Sequence, residues 1–381
     1  MSNDAYSTLK ATRHLDIIQS VREGRPVRPA HVQIIISDTC NQSCLFCAYR
    51  DPQYSSSQMF YEIKPQGAAL RRDGEHPERN YNPNRVIPTE KVIEILNDCK
   101  AMGVSGVQFT GGGEPTVHPN FLDIVGRAQD HGLATSLVSN GVNIGKRGLP
   151  WTRVLAGMSW VRISIDAGSM ETYCKIRNVP DWHWNAAWDA VKLLREASDR
   201  RGGKLVVGVG FVVTPENWTE VRPFVRDAKL AGAHNVRISA QFSTKGDRLF
   251  DGIYADASEI CRQVAEGDSD AGFQVYNRFG EKIDDLHQAA PDYQRCGYQE
   301  FTTYIGGDLN VYRCCVTSYN KTGLIGSLKD RSFQDLWMSQ ARADEMKKFD
   351  ARGCERCQFN QINRVLNYMI SDEDQLHEEF V

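Results

Sequence analysis

Three cysteines stand within eight residues, in the run Cys40-Asn-Gln-Ser-Cys44-Leu-Phe-Cys47. One loop can aim three thiolates at one inorganic cluster. Three protein ligands leave one iron of a four-iron cluster open, just as a catalytic zinc keeps one position open for its substrate. A second group lies far along the chain: Cys296, Cys314, Cys354 and Cys357, the last two as a Cys-x2-Cys pair. Four thiolates make a complete set for another cluster. Structural zinc is the competing chemistry. Its usual knuckle spacing is Cys-x2-Cys, which disfavours it for the first group but suits the second.

The chain has 381 residues, eleven cysteines and a net charge of −3. An odd count excludes a fully paired intramolecular disulfide framework, and a chain of this length can bury a large core without one. Residues 1–29 are polar and lack the apolar stretch of a signal peptide, and no run of about 18 apolar residues could cross a membrane. These features point to a reducing, cytoplasmic setting in which clustered cysteines are ligands or working thiols. The near-neutral charge balance gives no pull toward nucleic acid or anionic lipid.

Such residues need a frame. Short β-branched runs at 31–37, 106–110, 133–139, 160–165, 204–213 and 235–240 alternate with helical patterns at 90–102, 120–131, 184–197 and 216–230. Alternating strands and helices predict parallel βαβ units, as an open doubly wound sheet or an incomplete barrel, with ligands at the carboxyl ends of the strands. The chemical residues fall there: Cys40 after the first strand, Gly111-Gly112-Gly113-Glu114 after the second, Ser139-Asn140-Gly141 after the third, Ser164 and Asp166 at the fourth. Residues 48–89 interrupt the rhythm and could roof the site, with Tyr49, Arg50, Tyr54, Tyr61, Arg71, Arg72 and Arg79. Beyond residue 240 the alternation stops, and 241–290 is expected to be a bridge with one helix.

The three-cysteine run, with Phe46 before its last cysteine, resembles the signature of the radical S-adenosylmethionine superfamily. Gly112-Gly113-Glu114-Pro115 resembles the family's glycine-rich stretch that binds the methionine amino group; Ser139-Asn140-Gly141 and Ser164-Ile-Asp166 with Arg177 resemble its third- and fourth-strand motifs. The resemblance spans roughly residues 31–240 and implies a partial (β/α)6 TIM-like barrel. It implies a 4Fe–4S cluster on Cys40, Cys44 and Cys47, and S-adenosylmethionine contacted by Phe46, Gly112, Gly113, Glu114, Asn140, Ser164, Asp166 and Arg177. It also implies a reductant such as flavodoxin or ferredoxin. In this reading Glu114 accepts from the methionine ammonium, Arg177 pairs with a carboxylate, and the glycines admit backbone close to the cofactor.

Residues 291–360 resemble the twitch form of the SPASM extension, which implies a smaller C-terminal domain with one auxiliary 4Fe–4S cluster on Cys296, Cys314, Cys354 and Cys357. Two positions depart from that pattern: Leu309 replaces its glycine and Arg313 its proline. The spacing from Val311-Tyr312 favours Cys314 over Cys315. Residues 1–30 form an N-terminal extension, and 361–381 a closing helix and tail.

Four cysteines are left over. Cys99 is expected in the core, Cys174 in packing, and Cys261 is a candidate hydrogen-atom donor because a thiol in the bridge could reach the open barrel face. For substrate, a peptide or amino-acid residue undergoing epimerisation, oxidation or crosslinking stands beside a small molecule such as an amino sugar or nucleoside. About thirty residues before the first strand are too few for a leader-binding domain, which favours the small molecule. A non-catalytic iron–sulfur or zinc scaffold is the reading from another class, opposed by the intact strand-end motifs. Trp182 or His183 could face substrate.

Overall fold

The structure is a computed structural model that describes residues 5–50, 59, 84–243 and 245–371. Among these residues, strands β1 (His31–Ile34), β2 (Gly106–Phe109), β3 (Ala134–Ser139), β4 (Trp160–Ser164), β5 (Val206–Val213), β6 (Asn235–Ala240), β7 (Gln274–Asn277), β8 (Thr302–Ile305), β9 (Asn310–Tyr312) and β10 (Leu324–Ser327) form one sheet. From β1 to β7 neighbours follow chain order and every pairing is parallel. A doubly wound sheet would reverse its strand order at a switch point. Here there is no reversal, so right-handed crossovers place all the helices on one face, the winding of a barrel. The edge strands β7 and β10 do not pair with each other, and the barrel is incomplete.

Side-chain alternation shows which face the helices cover. Val107 and Phe109, Val161 and Ile163, Val207 and Val209, and Val236 and Ile238 are buried in one apolar core with residues of the crossover helices. Helix Thr89–Met102 contributes Val92, Ile95, Leu96 and Cys99, then stops at Gly103, whose φ of 76° a residue with a side chain would resist. Helix Phe121–Asp130 contributes Phe121, Ile124, Val125 and Ala128. Helix Trp182–Arg200 begins two residues before its expected start, and Trp184 and Trp188 meet edge to face at 5.6 Å as core partners. Each such aliphatic or aromatic side chain contributes about 1.5–3 kcal/mol by leaving water.

Residues 241–290 are not a simple bridge. They hold helices Tyr254–Gly267 and Phe279–Gln288, and between them β7, which continues the parallel sheet beside β6. The pattern was faint because β7 has four residues and only Val275 is buried. Of the 48–89 segment, Tyr54, Tyr61, Arg71, Arg72 and Arg79 lie outside the described residues, as does the tail beyond residue 371.

The C-terminal unit shares the sheet. β8 pairs in parallel with β1, and β8, β9 and β10 form an antiparallel meander. The first strand of the barrel is therefore internal to the sheet. Leu309, in the turn between β8 and β9, has φ 63°. That is the left-handed conformation a glycine would adopt without strain, so the leucine holds the turn at a backbone cost of about 1–2 kcal/mol. No helix among the described residues is long and apolar enough to cross a membrane.

Candidate functional site at the strand ends

The loop after β1 carries Cys40, Cys44 and Cys47, all partly exposed and free. Its shape is fixed from four sides. Behind it, Gly113 N–H donates to Ser37 O at 3.1 Å and Glu114 N–H to Thr39 O at 2.9 Å. A Cβ on Gly113 would stand 2.1 Å from Thr39 O, and one on Gly112 would stand 2.8 Å from Asp38 Oδ1. The glycines are needed because the loop after β2 lies directly on the segment leading to Cys40. Protein backbone occupies the space a Gly113 side chain would fill, which is a structural reason for that glycine beside the expected one.

Glu114 ties the second strand end to the third. It is 3% exposed. Its Oε1 accepts from Thr116 N–H at 3.1 Å, the Thr116 hydroxyl at 2.7 Å and the Ser139 hydroxyl at 2.7 Å, and its Oε2 accepts from Asn140 N–H at 2.8 Å. Burial raises the carboxyl above its ordinary value, and these hydrogen bonds pull it back. Most of its acceptor capacity is already filled, so the side chain acts first as a brace. Asn140 donates from Nδ2 to Asn41 Oδ1 at 2.6 Å, which joins the third strand end to the cysteine loop.

Arg177 holds the opposite flank. Ser169 caps helix Met170–Arg177 by accepting Thr172 N–H, and two turns later the helix ends at Arg177, beside the end of β4. Its five N–H donors all have partners: Ile165 O at 3.1 Å, Ser164 O at 2.9 Å, Asp166 Oδ2, Gln42 Oε1 at 2.7 Å and Cys44 Sγ at 3.6 Å. Among the described residues, the carboxylate that Arg177 holds is Asp166. Asp166 adopts φ 60°, and its Oδ1 accepts Val212 N–H at 2.7 Å. Its backbone O accepts from Asn217 Nδ2 at 2.7 Å. Burial raises the Asp166 carboxyl, and Arg177 counters this. Phe46 packs under the Arg177 guanidinium, 5.9 Å from its ring centre. The Ser164 side chain is half-buried at the end of β4, on the face opposite the core residues Val161 and Ile163.

Two residues in the gap between the first cysteines were not anticipated. Asn41 meets Asn140, and Gln42 receives Arg177 while donating from Nε2 to Tyr173 Oη at 2.9 Å. Gln42 Nε2 also lies 3.5 Å from His183 Nδ1, and His183 is buried on this side. Adjacent amides inside so short a gap were the available signal. Trp182 is 44% exposed, with Lys146 over its ring. Asp38 couples the loop to the C-terminal unit. It accepts Arg85 Nε at 2.7 Å and the Tyr319 hydroxyl, while burial pushes its carboxyl up to about 6. Tyr49 and Tyr304 hydroxyls meet at 2.7 Å across the same junction.

Cys296, Cys314, Cys354 and Cys357 line one cavity in the C-terminal unit, with Arg313, Tyr293 and Tyr298. Cys315 points elsewhere and packs with Tyr49, Tyr304, Tyr312 and Tyr319. Arg313 is 2% exposed, stacks on Phe349 at 4.0 Å and donates to Gln299 Oε1 at 2.7 Å and to Glu345 Oε1 at 2.5 Å. The unexpected arginine is therefore a buried cation beside four thiols.

Burial pushes the Cys40 and Cys354 thiols up to about 12 and Cys357 to about 11. Such thiols ionise when a metal ligates them. Among the described residues no three Cys, His, Asp or Glu side chains converge as a lone ion requires.

Cys261 does not stand with these residues. It is fully buried in the apolar core, on helix Tyr254–Gly267, which packs against β7 and helix Val221–Leu230. Burial pushes its thiol up to about 12. The expected reach to the open barrel face is corrected: its surroundings are those of a packing residue. Cys99 is core, and Cys174 packs at the core margin.

Comparison with known proteins agrees with this geometry. Residues 34–228 match the model of the radical SAM superfamily, and residues 296–358 match SPASM, the iron–sulfur cluster-binding domain. A protein of Saccharolobus islandicus named "Probable GTP 3',8-cyclase" is 26% identical over 219 residues, 57% of this chain and 58% of that protein. One from Thermococcus kodakarensis bearing the same name is 27% identical over 158 residues, 42% of this chain and 41% of that protein. The chain thus spans between 41% and 58% of the length of these curated relatives. Among solved structures, Streptococcus suis SuiB bound to precursor peptide SuiA superposes with a TM-score of 0.59 at 15% identity, over 92% of this chain and 73% of that one. The structure of anSMEcpe with bound AdoMet and Kp18Cys peptide gives 0.56 at 14% identity, over 90% and 97%. The family match covers half of the chain and includes all three cysteines of the first loop, so this chain belongs to the radical SAM superfamily and carries a C-terminal SPASM domain.

Proposed function

We propose that the chain modifies a residue of a peptide substrate by hydrogen-atom abstraction, leading to epimerisation, oxidation or crosslinking. The supporting observation is the extent of the structural likeness. It runs through barrel and four-cysteine unit together, 92% of this chain against SuiB with its precursor peptide.

When bound, the cluster and S-adenosylmethionine together supply a 5′-deoxyadenosyl radical from one added electron, with methionine released. The chain's own residues hold and orient. Cys40, Cys44 and Cys47 would be the cluster ligands, and Arg177 and Asn140 keep their loop in one shape. Ser164, at the end of β4, offers a hydroxyl for the cofactor's ribose. Cys296, Cys314, Cys354 and Cys357 would hold the auxiliary cluster, and a flavodoxin- or ferredoxin-type carrier would deliver the electron. A nucleotide substrate is the second reading, favoured by the 26% identity to the cyclase.

Anaerobic reconstitution should give about eight irons per chain, and 5′-deoxyadenosine should form with a reductant. About four irons and no cleavage of the cofactor would refute the two-cluster enzyme. Solvent deuterium in a product peptide indicates epimerisation, and a mass loss of two hydrogens indicates oxidation or crosslinking.

A further inference from the structure

The inner face of the sheet is unlike the packed interior of a closed barrel, where bulky branched side chains fill three layers. Gln33, Gln108, Arg162, Gly208, Gly210 and Arg237 alternate with the core residues of their strands and so share the face away from the helices. Gln108 donates to Gln33 at 3.3 Å. The two arginines have no such answer. Arg237 Nε is buried without a hydrogen-bond partner among the described residues. The contact recorded for its guanidinium is a ring: Tyr6, at 5.4 Å. Arg162 likewise rests over Trp160 at 5.8 Å. Asp166, near enough to feel Arg162, is already held by Arg177, and Glu281, near enough to feel Arg237, is held by Arg278.

The register brings the pair together. Arg162 on β4 is level with Gly208 on β5, and Arg237 on β6 is level with Gly210. Gly210 leaves a trough between the arginines, where an added Cβ would touch Arg162 Cδ at 3.6 Å, whereas the space over Gly208 is taken by Asn235, whose Oδ1 would lie 2.5 Å from such a Cβ. Ser164 shares the row of Gly210 and Arg237. The trough therefore begins level with the last residue of β4 and runs one inner layer deeper, to Arg162. Arg237 also lines a cavity of about 220 Å³ with Arg278, Lys282, Glu281 and Tyr6, in which three cations face one carboxylate. Both arginines are half-buried, and like charges brought together with part of their hydration removed oppose folding unless an anion joins them. Burial first, and then repulsion by Arg162, pull Arg237 down to about 10.

We propose that Arg162 and Arg237 form an oxyanion-binding site on the inner face of the barrel that holds a carboxylate or phosphate group of the substrate. Two arginines on adjacent rows of one sheet face suit a planar or tetrahedral oxyanion, which each guanidinium can engage with paired N–H donors. The site deepens the proposed function and rests on it only in assigning the anion to the substrate. A carboxylate would come from an acidic side chain or C-terminus of a peptide, and a phosphate from a nucleotide.

The test is calorimetric titration of the full-length reconstituted protein with inorganic phosphate and, separately, with succinate at low salt. Saturable binding of one or both is expected. Arg162→Gln and Arg237→Gln should each weaken it at least about tenfold, while Arg237→Lys retains part of it. Tighter phosphate binding assigns a phosphate-bearing substrate, and tighter succinate binding a carboxylate-bearing one. If an arginine variant fails to fold, Gly210→Val fills the trough and should produce the same loss. No saturable binding to the wild type, or equal binding by folded variants, overturns the proposal. Formation of 5′-deoxyadenosine is measured separately, so failure of the anion site and failure of the enzyme reading give different results.

Discussion

Replacing Arg177 with methionine is the sharpest test of how the cysteine loop is held. The substitution removes five hydrogen-bond donors at once, two of them on the cysteine loop through Gln42 and Cys44 and three on the end of β4. It also leaves Asp166, only 2% exposed, without its cation. Removing one partner of a buried ion pair costs about 3–5 kcal/mol, because the remaining charge stays out of water. The melting temperature should therefore fall by on the order of 5–10 °C. Without Arg177, burial alone holds the Asp166 carboxyl above its unfolded value of 3.8. The folded protein then binds a proton that the unfolded chain has released, so stability falls as pH rises through that window. The deficit of Arg177→Met should be largest near neutrality and shrink toward pH 4. Adding Asp166→Asn removes the orphaned charge and keeps an acceptor for Val212 N–H, so the double variant should recover about 1–2 kcal/mol over Arg177→Met. Differential scanning calorimetry of wild type, both single variants and the double variant at two pH values measures this cycle. An Arg177→Met protein melting with the wild type, or a double variant less stable than Arg177→Met, would refute the buried-pair argument.

Other substitutions report on separate parts of the site. Gly113→Ala places a Cβ 2.1 Å from Thr39 O, where backbone meets backbone and no rotamer can relieve it, so bound iron should drop from about eight to about four per chain. Iron analysis should show the same drop for Cys314→Ala and none for Cys315→Ala, because Cys314 faces the shared cavity and Cys315 does not. Arg313→Met removes a buried cation beside the four thiols, and electrochemistry should find the auxiliary potential lowered by roughly 60 mV for each ~1.4 kcal/mol of lost charge stabilisation. Cys261→Ala should cost about 1 kcal/mol through lost packing while product stereochemistry is unchanged, and a changed stereochemical outcome would restore it as a donor.

The barrel was legible because its strands and helices bury one face each. Runs such as 204–213 and the i, i+3, i+4 spacing of Val92, Ile95, Leu96 and Cys99 report burial directly. The cysteine groups were legible because ligand spacing within a loop is local. What was hidden depends on partners distant in sequence. Glu114 and Arg177 carry the residue types of cofactor contacts, but whether their polar atoms meet a ligand or the protein is decided by Ser139, Asn140, Gln42 and Asp166. β7 was hidden because a four-residue strand with one buried side chain has no period to read. Leu309 shows the reverse case. The departure from glycine was visible in sequence, but its meaning required φ 63° and the β8–β9 turn.

The same reasoning separates the two kinds of charge found inside the barrel. Arg177 is buried and every donor has a partner within the chain, so its burial is explained by the fold it supports. Arg237 is half-buried with its Nε buried and unpaired among the described residues, and nothing in the fold explains that cost. Across a sheet whose other face is mainly aliphatic and aromatic, an inner face with two arginines beside Gly210 is not a packing solution, since replacing either arginine by an aliphatic residue would break no described hydrogen bond. Arg162→Leu and Arg237→Leu should therefore raise the melting temperature of the ligand-free protein while weakening its anion binding. A gain in stability paired with a loss of binding is the signature of residues kept for a ligand, and a loss of stability in both variants would show that they brace the barrel instead.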